Sequence, residues 1–230
     1  MTDSATELTI LRQQAQTQLE IQDSITKMFA PEDEGLQSAL REASQAGLPA
    51  IQISPIQGKL LQLLATMCNA QKILEIGALA GYSGIWLARA LPPGGRLITL
   101  EVSPAHADVV KKSFARAGVG DRTEVRVGKA LDLLPQLANE APFDLVFIDA
   151  DKAPYPQYLD WALRYTRTGS IIVADNCIRG GRGLRPAEDE GTAGVFEYNR
   201  RVVNNPHLVS LALPMDDEYT DGFTIAVVKQ

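Results

Sequence analysis

From Lys72 onward the chain alternates between short runs of aliphatic and β-branched residues and longer stretches whose apolar side chains recur every three or four positions. The runs KILEIG, RLITLE, TEVRVG, FDLVFID and GSIIVADN predict strands. Helices are predicted around Tyr82 to Leu91, Pro104 to Ala117, Leu131 to Ala138 and Pro154 to Thr166, each bounded by Gly, Pro or small polar residues. Regular alternation of strand and helix predicts an α/β domain, with a doubly wound, mostly parallel sheet covered by helices on both faces. The end of the chain breaks this rhythm. After a helix near Thr192 to Val203, the runs LVSLALP and FTIAVVK are separated only by MDDEYTDG, so these two strands should pair antiparallel.

Ahead of the sheet, Leu8, Leu11, Ala15, Leu19, Gln22, Ile25 and Phe29 fall near helical spacing and make a narrow apolar stripe. Two readings stay open for it: packing against its own domain, or contact with a twin subunit in a homodimer. No repeat, low-complexity tract or Pro/Gly-rich linker divides the chain, so residues 1–230 are read as one domain, with N-terminal helices over 1–71 and an α/β core over 72–230.

Composition narrows the class of function. With 230 residues, 45% of them hydrophobic, the chain can bury a full core. A net charge of −6 and the absence of any Lys/Arg-rich block argue against a nucleic-acid partner and favour a small molecule. The opening MTDSATELTI has two acids and no apolar run, so no membrane partner is expected and the cytoplasm is the expected location. Cys68 and Cys177 lie far apart without C-x-x-C spacing and read as buried thiols.

In an open parallel sheet, ligands bind beyond the carboxyl ends of the strands. The first end reads Glu75-Ile76-Gly77-Ala78-Leu79-Ala80-Gly81-Tyr82-Ser83. Gly77 and Gly81 allow a tight turn, but the G-x-G-x-x-G pattern of a pyrophosphate cradle is absent. Glu75 would repel a phosphate and attract an ammonium, which fits S-adenosylmethionine, a ligand with that cation and no phosphate. Glu101 ends the second strand, where a carboxylate accepts hydrogen bonds from ribose hydroxyls. Gly128-Lys129-Ala130 makes a small-residue turn suited to a flat adenine ring. Each feature alone also reads as a solvated cap or a plain turn; in this order they favour a nucleoside ligand.

The fourth and fifth strands end in Asp149-Ala150-Asp151-Lys152 and Asp175-Asn176. Asp149, Asp175 and Asn176 are hard oxygen donors converging on one rim, the composition Mg²⁺ prefers. A dication there would lower the pKa of a coordinated hydroxyl and orient two adjacent substrate oxygens. Lys152, three residues after Asp149, is a candidate general base, with a surface pair to Asp151 as the alternative; Asp151 itself is a candidate for the cofactor ammonium. Ser83, Ser103 and Ser170 lack a nucleophile-elbow context, and His106 and His207 lack a matching nucleophile, which disfavours hydrolase chemistry.

These residues make the chain resemble the cation-dependent class I O-methyltransferases of the caffeoyl-CoA and catechol type. The resemblance runs from about Ile53 to the C-terminus and is strongest in LEIGALAGYS, VRVGKALDLLP, FDLVFIDADKAPYPQY and IIVADNCIRGGR. It implies a Rossmann-like seven-stranded sheet with the last strand inserted antiparallel, usually in a homodimer. It also implies a metal held by Asp149, Asp175 and Asn176, a base at Lys152 and a catalytic role for Asp149. S-adenosylmethionine would be lined by Glu75, Ser83, Glu101, Ala130 and Asp151, with Gly77, Ala78 and Asp149 in the same corner. The acceptor would be a phenolic small molecule with vicinal hydroxyls. Ser54-Pro55-Ile56-Gln57-Gly58 departs from the acidic D-E-G stretch many members carry before the first core helix. RGGRGLRPAEDEGT, from Arg179 to Thr192, has four Gly and three Arg and reads either as a substrate loop for an anionic or extended acceptor or as solvated surface. A metal-independent methyltransferase and an S-adenosylmethionine-binding module without turnover are the competing readings.

Overall fold

A computed structural model describes residues 4–215 and 220–230. Strands β1 (Lys72–Ile76), β2 (Arg96–Glu101), β3 (Thr123–Val127), β4 (Phe143–Ile148), β5 (Thr166–Ala174), β6 (Leu208–Pro214) and β7 (Gly222–Val228) form one seven-stranded sheet in the order β3-β2-β1-β4-β5-β7-β6. The neighbours among β1 to β5 pair parallel, while β7 runs antiparallel between β5 and β6. This is the Rossmann-like arrangement expected, with the last strand inserted. Part of the expected MDDEYTDG connection, 216–219, lies outside the described residues.

Eight helices complete the described chain: α1 (Ser4–Phe29), α2 (Glu34–Gln45), α3 (Pro55–Met67), α4 (Tyr82–Ala90), α5 (Pro104–Arg116), α6 (Ala130–Leu133), α7 (Tyr155–Tyr165) and α8 (Glu190–Asn204). Successive strand residues point to opposite faces, and both faces are buried. Ile73, Leu145 and Ile171 join Leu61, Trp86 and Phe114 in one core, whereas Leu74, Val146 and Ile172 join Leu159, Val195 and Tyr198 in the other. That is why the strands read as continuous apolar runs without a polar face.

Local chemistry sets several boundaries. Ser54 and Gln57 form a reciprocal capping box with Pro55 in the first turn, so the departing segment SPIQG is the start of α3. The helix expected over Leu131 to Ala138 divides into α6 and a 3₁₀ turn over Leu134–Leu137, because Pro135 has no N–H to continue the ladder. β5 begins three residues before the expected GSIIVADN, with a register irregularity opposite Phe143 and Leu145; there Ser170 Oγ accepts the Arg167 N–H at 3.0 Å. Among the described residues no helix is long and apolar enough to cross a membrane. On α1, Leu11, Leu19, Ile25 and Phe29 remain exposed while Gln22 is half-buried, so its own domain covers only a small part of the stripe; the side chain of Leu8 lies outside the described residues.

Where β1 ends, Gly77 adopts φ +95°, and a Cβ there would stand 2.0 Å from the Asp149 carbonyl oxygen. Only glycine permits that approach. Gly94 has a similar φ of +83° but nothing within 4 Å of its would-be Cβ. Gly77→Ala should therefore cost about 3 kcal/mol or more in urea unfolding, and Gly94→Ala only about 1 kcal/mol; equal costs would contradict the steric account.

Candidate active site

A cavity of about 1000 Å³ opens at the carboxyl ends of the parallel strands. Its first wall is the turn from Gly77 to Ser83. Glu101, buried at the end of β2, organises this turn: Oε2 accepts the N–H groups of Ala78 at 3.3 Å and Leu79 at 3.0 Å, and Oε1 accepts that of Ser103 at 2.9 Å. A carboxylate has about four lone-pair directions, so Glu101 retains accepting capacity toward the cavity it lines. Gly128, Lys129 and Ala130, leading into α6, form the adjoining wall.

Glu75 is placed differently from its neighbours. It is wholly buried behind the turn, accepts the Ser83 hydroxyl at 2.5 Å and does not line the cavity. Burial pushes its carboxyl up to about 7; the Ser83 hydrogen bond opposes this, and the charges of Asp149 and Glu101 add to it. Any effect on a ligand ammonium is thus exerted through the field rather than by contact.

The ends of β4 and β5 carry the second half of the site. Lys152 Nζ donates to Asp149 Oδ1 at 2.9 Å and to the Tyr155 hydroxyl at 2.7 Å. The expected alternative, a pair with Asp151, is not what forms: Asp151 Oδ1 accepts the Tyr158 hydroxyl at 2.6 Å. Tyr155, fully buried, donates in turn to the Asp175 carbonyl at 3.0 Å and ties α7 to both strand ends. Asp175 is buried just behind the cavity wall, and Asn176, which lines it, takes a left-handed φ of +54° with its N–H on Asp175 Oδ1 at 2.6 Å. Asn tolerates that region better than most residues. Burial, and next the charge of Asp149, push the Asp175 carboxyl above its usual range.

Of the residues read from sequence, Gly77, Ala78, Ser83, Glu101, Ala130, Asp149, Asp151, Lys152 and Asn176 line the cavity. Glu75 and Asp175 lie in a layer behind. Among the described residues no group of three or more His, Cys, Asp or Glu side chains is arranged around a common ion position, so the candidate donors there are two carboxylates and an amide. Sequence reasoning missed Tyr155, Tyr158 and Asp221. The tyrosines had a signal, lying three and six residues after Lys152 on the face of α7 turned to the rim. Asp221 read only as a turn residue, yet its Oδ1 accepts the N–H groups of Ile178, Arg179 and Gly222.

A sequence profile of the O-methyltransferase family matches residues 26–227. A catechol O-methyltransferase of Niastella koreensis is 49% identical over 210 residues, 89% of this chain and 95% of that protein. One from Mycobacterium tuberculosis is 46% identical over 199 residues, 86% of this chain and 90% of its own. The crystal structure of an O-methyltransferase from Bacillus cereus in complex with SAH superposes with a TM-score of 0.88 at 42% identity, covering 94% of this chain and all of that one. The chain belongs to the O-methyltransferase family.

The buried Glu75 generates a pH-dependent expectation. Its folded pKa of about 7 lies above the ordinary value of 4.5, so the folded state holds the proton more tightly, and stability falls as pH rises from about 4.5 through 7. Glu75→Gln keeps an acceptor for Ser83 and removes the charge. It should raise the stability of the ligand-free protein at pH 8 by roughly 2 kcal/mol and change it little at pH 4.5, as read by urea unfolding at both pH values. A benefit equal at both would show that the charge is not the cause.

Proposed function

We propose that the chain transfers the methyl group of S-adenosylmethionine to one hydroxyl of a vicinal-dihydroxy aromatic, of catechol, hydroxycinnamoyl or flavonoid type, assisted by a divalent cation such as Mg²⁺. The observation that carries this reading is that Asp149, Asn176 and Lys152 line the same cavity as Glu101 and the Gly77 to Ser83 turn. The names of the two bacterial relatives support the acceptor class, and the SAH complex of the Bacillus cereus protein supports the cofactor.

The donor set fits a hard dication. Asp175 is raised by burial and next by the charge of Asp149, a penalty that a cation would relieve, and Asn176 adds an amide oxygen; these three would hold the ion and leave its other positions to water and acceptor. When bound, the ion supplies Lewis acidity that favours the ionised form of a coordinated hydroxyl. Lys152 Nζ, within reach of Asp149 and the Tyr155 hydroxyl, would take the hydroxyl proton in its neutral form, once it has given up its own proton and its ion pair with Asp149. Glu101 would hold the ribose hydroxyls, and Asp151, whose Oδ1 accepts the Tyr158 hydroxyl, would meet the cofactor ammonium. The chain's main contribution is alignment of acceptor oxygen with the sulfonium methyl, worth about 7–11 kcal/mol for ideal pairs, with no covalent enzyme intermediate.

A metal-independent transfer is the second reading, favoured by the Lys152–Asp149 ion pair, which already neutralises one of the candidate ligands. The exposed stripe on α1 is read as the surface a second copy covers in a homodimer, and the cytoplasm as the working compartment.

Catechol methylation should fall at least 100-fold in chelator and return on titrating Mg²⁺, and the double variant Asp149→Ala with Asp175→Ala should lose the same activity. Full transfer in chelator by the wild type and by that variant would leave the metal-independent reading. Glu101→Ala should weaken S-adenosylmethionine binding by about 1–3 kcal/mol in calorimetry, and unchanged affinity would remove Glu101 from the cofactor site.

A further inference from the structure

Three carboxylates grip the turn between β1 and α4. Glu101 takes the Ala78 and Leu79 N–H groups and Glu75 takes the Ser83 hydroxyl, both from strands of the sheet. The third, Glu32, comes from the connection between α1 and α2, fifty residues ahead of its partner: its Oε1 accepts the Tyr82 hydroxyl at 2.6 Å. Tyr82 is the first residue of α4, lines the cavity and is only 2% exposed. Burial, and next the bond to Glu32, push its hydroxyl above the usual range, so it stays protonated and donates.

A second tie joins the same elements. Arg89, in the last turn of α4, donates to both oxygens of Asp33, at 2.9 and 2.7 Å, and Asp33 Oδ1 also caps α2 by accepting the Leu36 N–H at 3.2 Å. The α1–α2 connection is thus fastened to both ends of α4, by Glu32 at the cavity end and by Asp33 at the other. The two ties differ in what they touch. Tyr82 is part of the cavity wall, whereas Arg89 and Asp33 are not. Where the turn meets α4, Gly81 has φ +82° and offers the helix no side-chain cap, so the backbone there depends on the anchors of its neighbours. Without the Glu32 carboxylate a buried hydroxyl loses its acceptor, and the ring must shift to satisfy it.

We propose that Glu32 is a positioning residue for the cofactor: through Tyr82 it holds the turn in the form that binds S-adenosylmethionine, so cofactor affinity and the order of the α1–α2 connection are coupled. This rests on the cofactor occupying the cavity, as proposed above. Coupling of this kind is reciprocal, so a filled cavity also steadies the connection.

Calorimetry with S-adenosylhomocysteine on the ligand-free protein tests the first half. Glu32→Ala and Tyr82→Phe should each raise Kd about fivefold or more, and the double variant no further than the larger single change, because both remove one interaction. Glu32→Gln still offers Tyr82 an acceptor and should stay within about twofold of wild type. Asp33→Ala cuts the other tie and the α2 cap: it should lower the urea midpoint yet leave Kd within about twofold. In turnover, Glu32→Ala should raise KM for S-adenosylmethionine and leave kcat unchanged. Hydrogen exchange tests the second half: saturating S-adenosylhomocysteine should slow the amides of residues 30–34 in the wild type and not in Tyr82→Phe. A smaller rise in Kd for folded Glu32→Ala, an equal rise for Asp33→Ala, or equal protection in Tyr82→Phe overturns the proposal. If the wild type binds no S-adenosylhomocysteine, the cofactor reading falls and this one with it; wild-type binding with Kd unmoved in Glu32→Ala overturns this one alone.

Discussion

The carboxyl ends of β1 and β4 come so close that the Asp149 carbonyl occupies the space where a side chain on Gly77 would be. Main-chain hydrogen bonding continues past the strand ends here and along the rim: Gly77 N–H to Leu100, Asp149 N–H to Ile76, Asp175 N–H to Ile148 and Gly128 N–H to Glu101. Each bond fixes the backbone of a residue assigned to the site, or of its immediate neighbour. The rim is therefore an extension of the sheet rather than a set of free loops, and groups mounted on it inherit the rigidity of the core. A mechanism that depends on aligning two bound molecules needs that kind of support.

Electrostatically, the site concentrates negative charge and places part of it out of water. Glu75 and Asp175 are both buried behind the cavity and both raised, each mainly by burial. Lys152 offsets Asp149 directly, and two tyrosines of α7 take up further oxygen atoms. The arrangement suits a ligand that carries positive charge, as S-adenosylmethionine does.

The fold was largely legible in the chain because both faces of the sheet are covered, which leaves uninterrupted apolar runs with small residues at their ends. The insertion of β7 came from the family resemblance, since adjacency of LVSLALP and FTIAVVK indicates pairing but not which of the two meets β5. The strand-end residues of the site were legible for the same reason the strands were: position follows once the strand is placed. Glu75 and Asp175 were read from the sequence as site residues, but their withdrawal behind the wall depends on side-chain direction and on Ser83 and Asn176 folding over them, which spacing does not encode. Tyr155, Tyr158 and Asp221 reach the rim through tertiary packing, from a helix face and from a turn more than forty residues along from Ile178. On α1 the pattern indicated an apolar stripe without indicating what it faces, and the single chain leaves it exposed.

The antiparallel placement of β7 has a consequence for assembly. Its partners β5 and β6 do not touch each other, so β6 joins the sheet only through β7, and the order of attachment reverses the order of synthesis. The residue just before β7, Asp221, is the one that secures Ile178 and Arg179. The wall of the pocket beyond Asn176 is therefore tied off by a late-arriving segment through contacts distant in sequence, whereas the turn from Gly77 to Ser83 is set by elements already neighbouring one another. One half of the pocket can acquire its shape from the first strands alone; the other waits for the final hairpin.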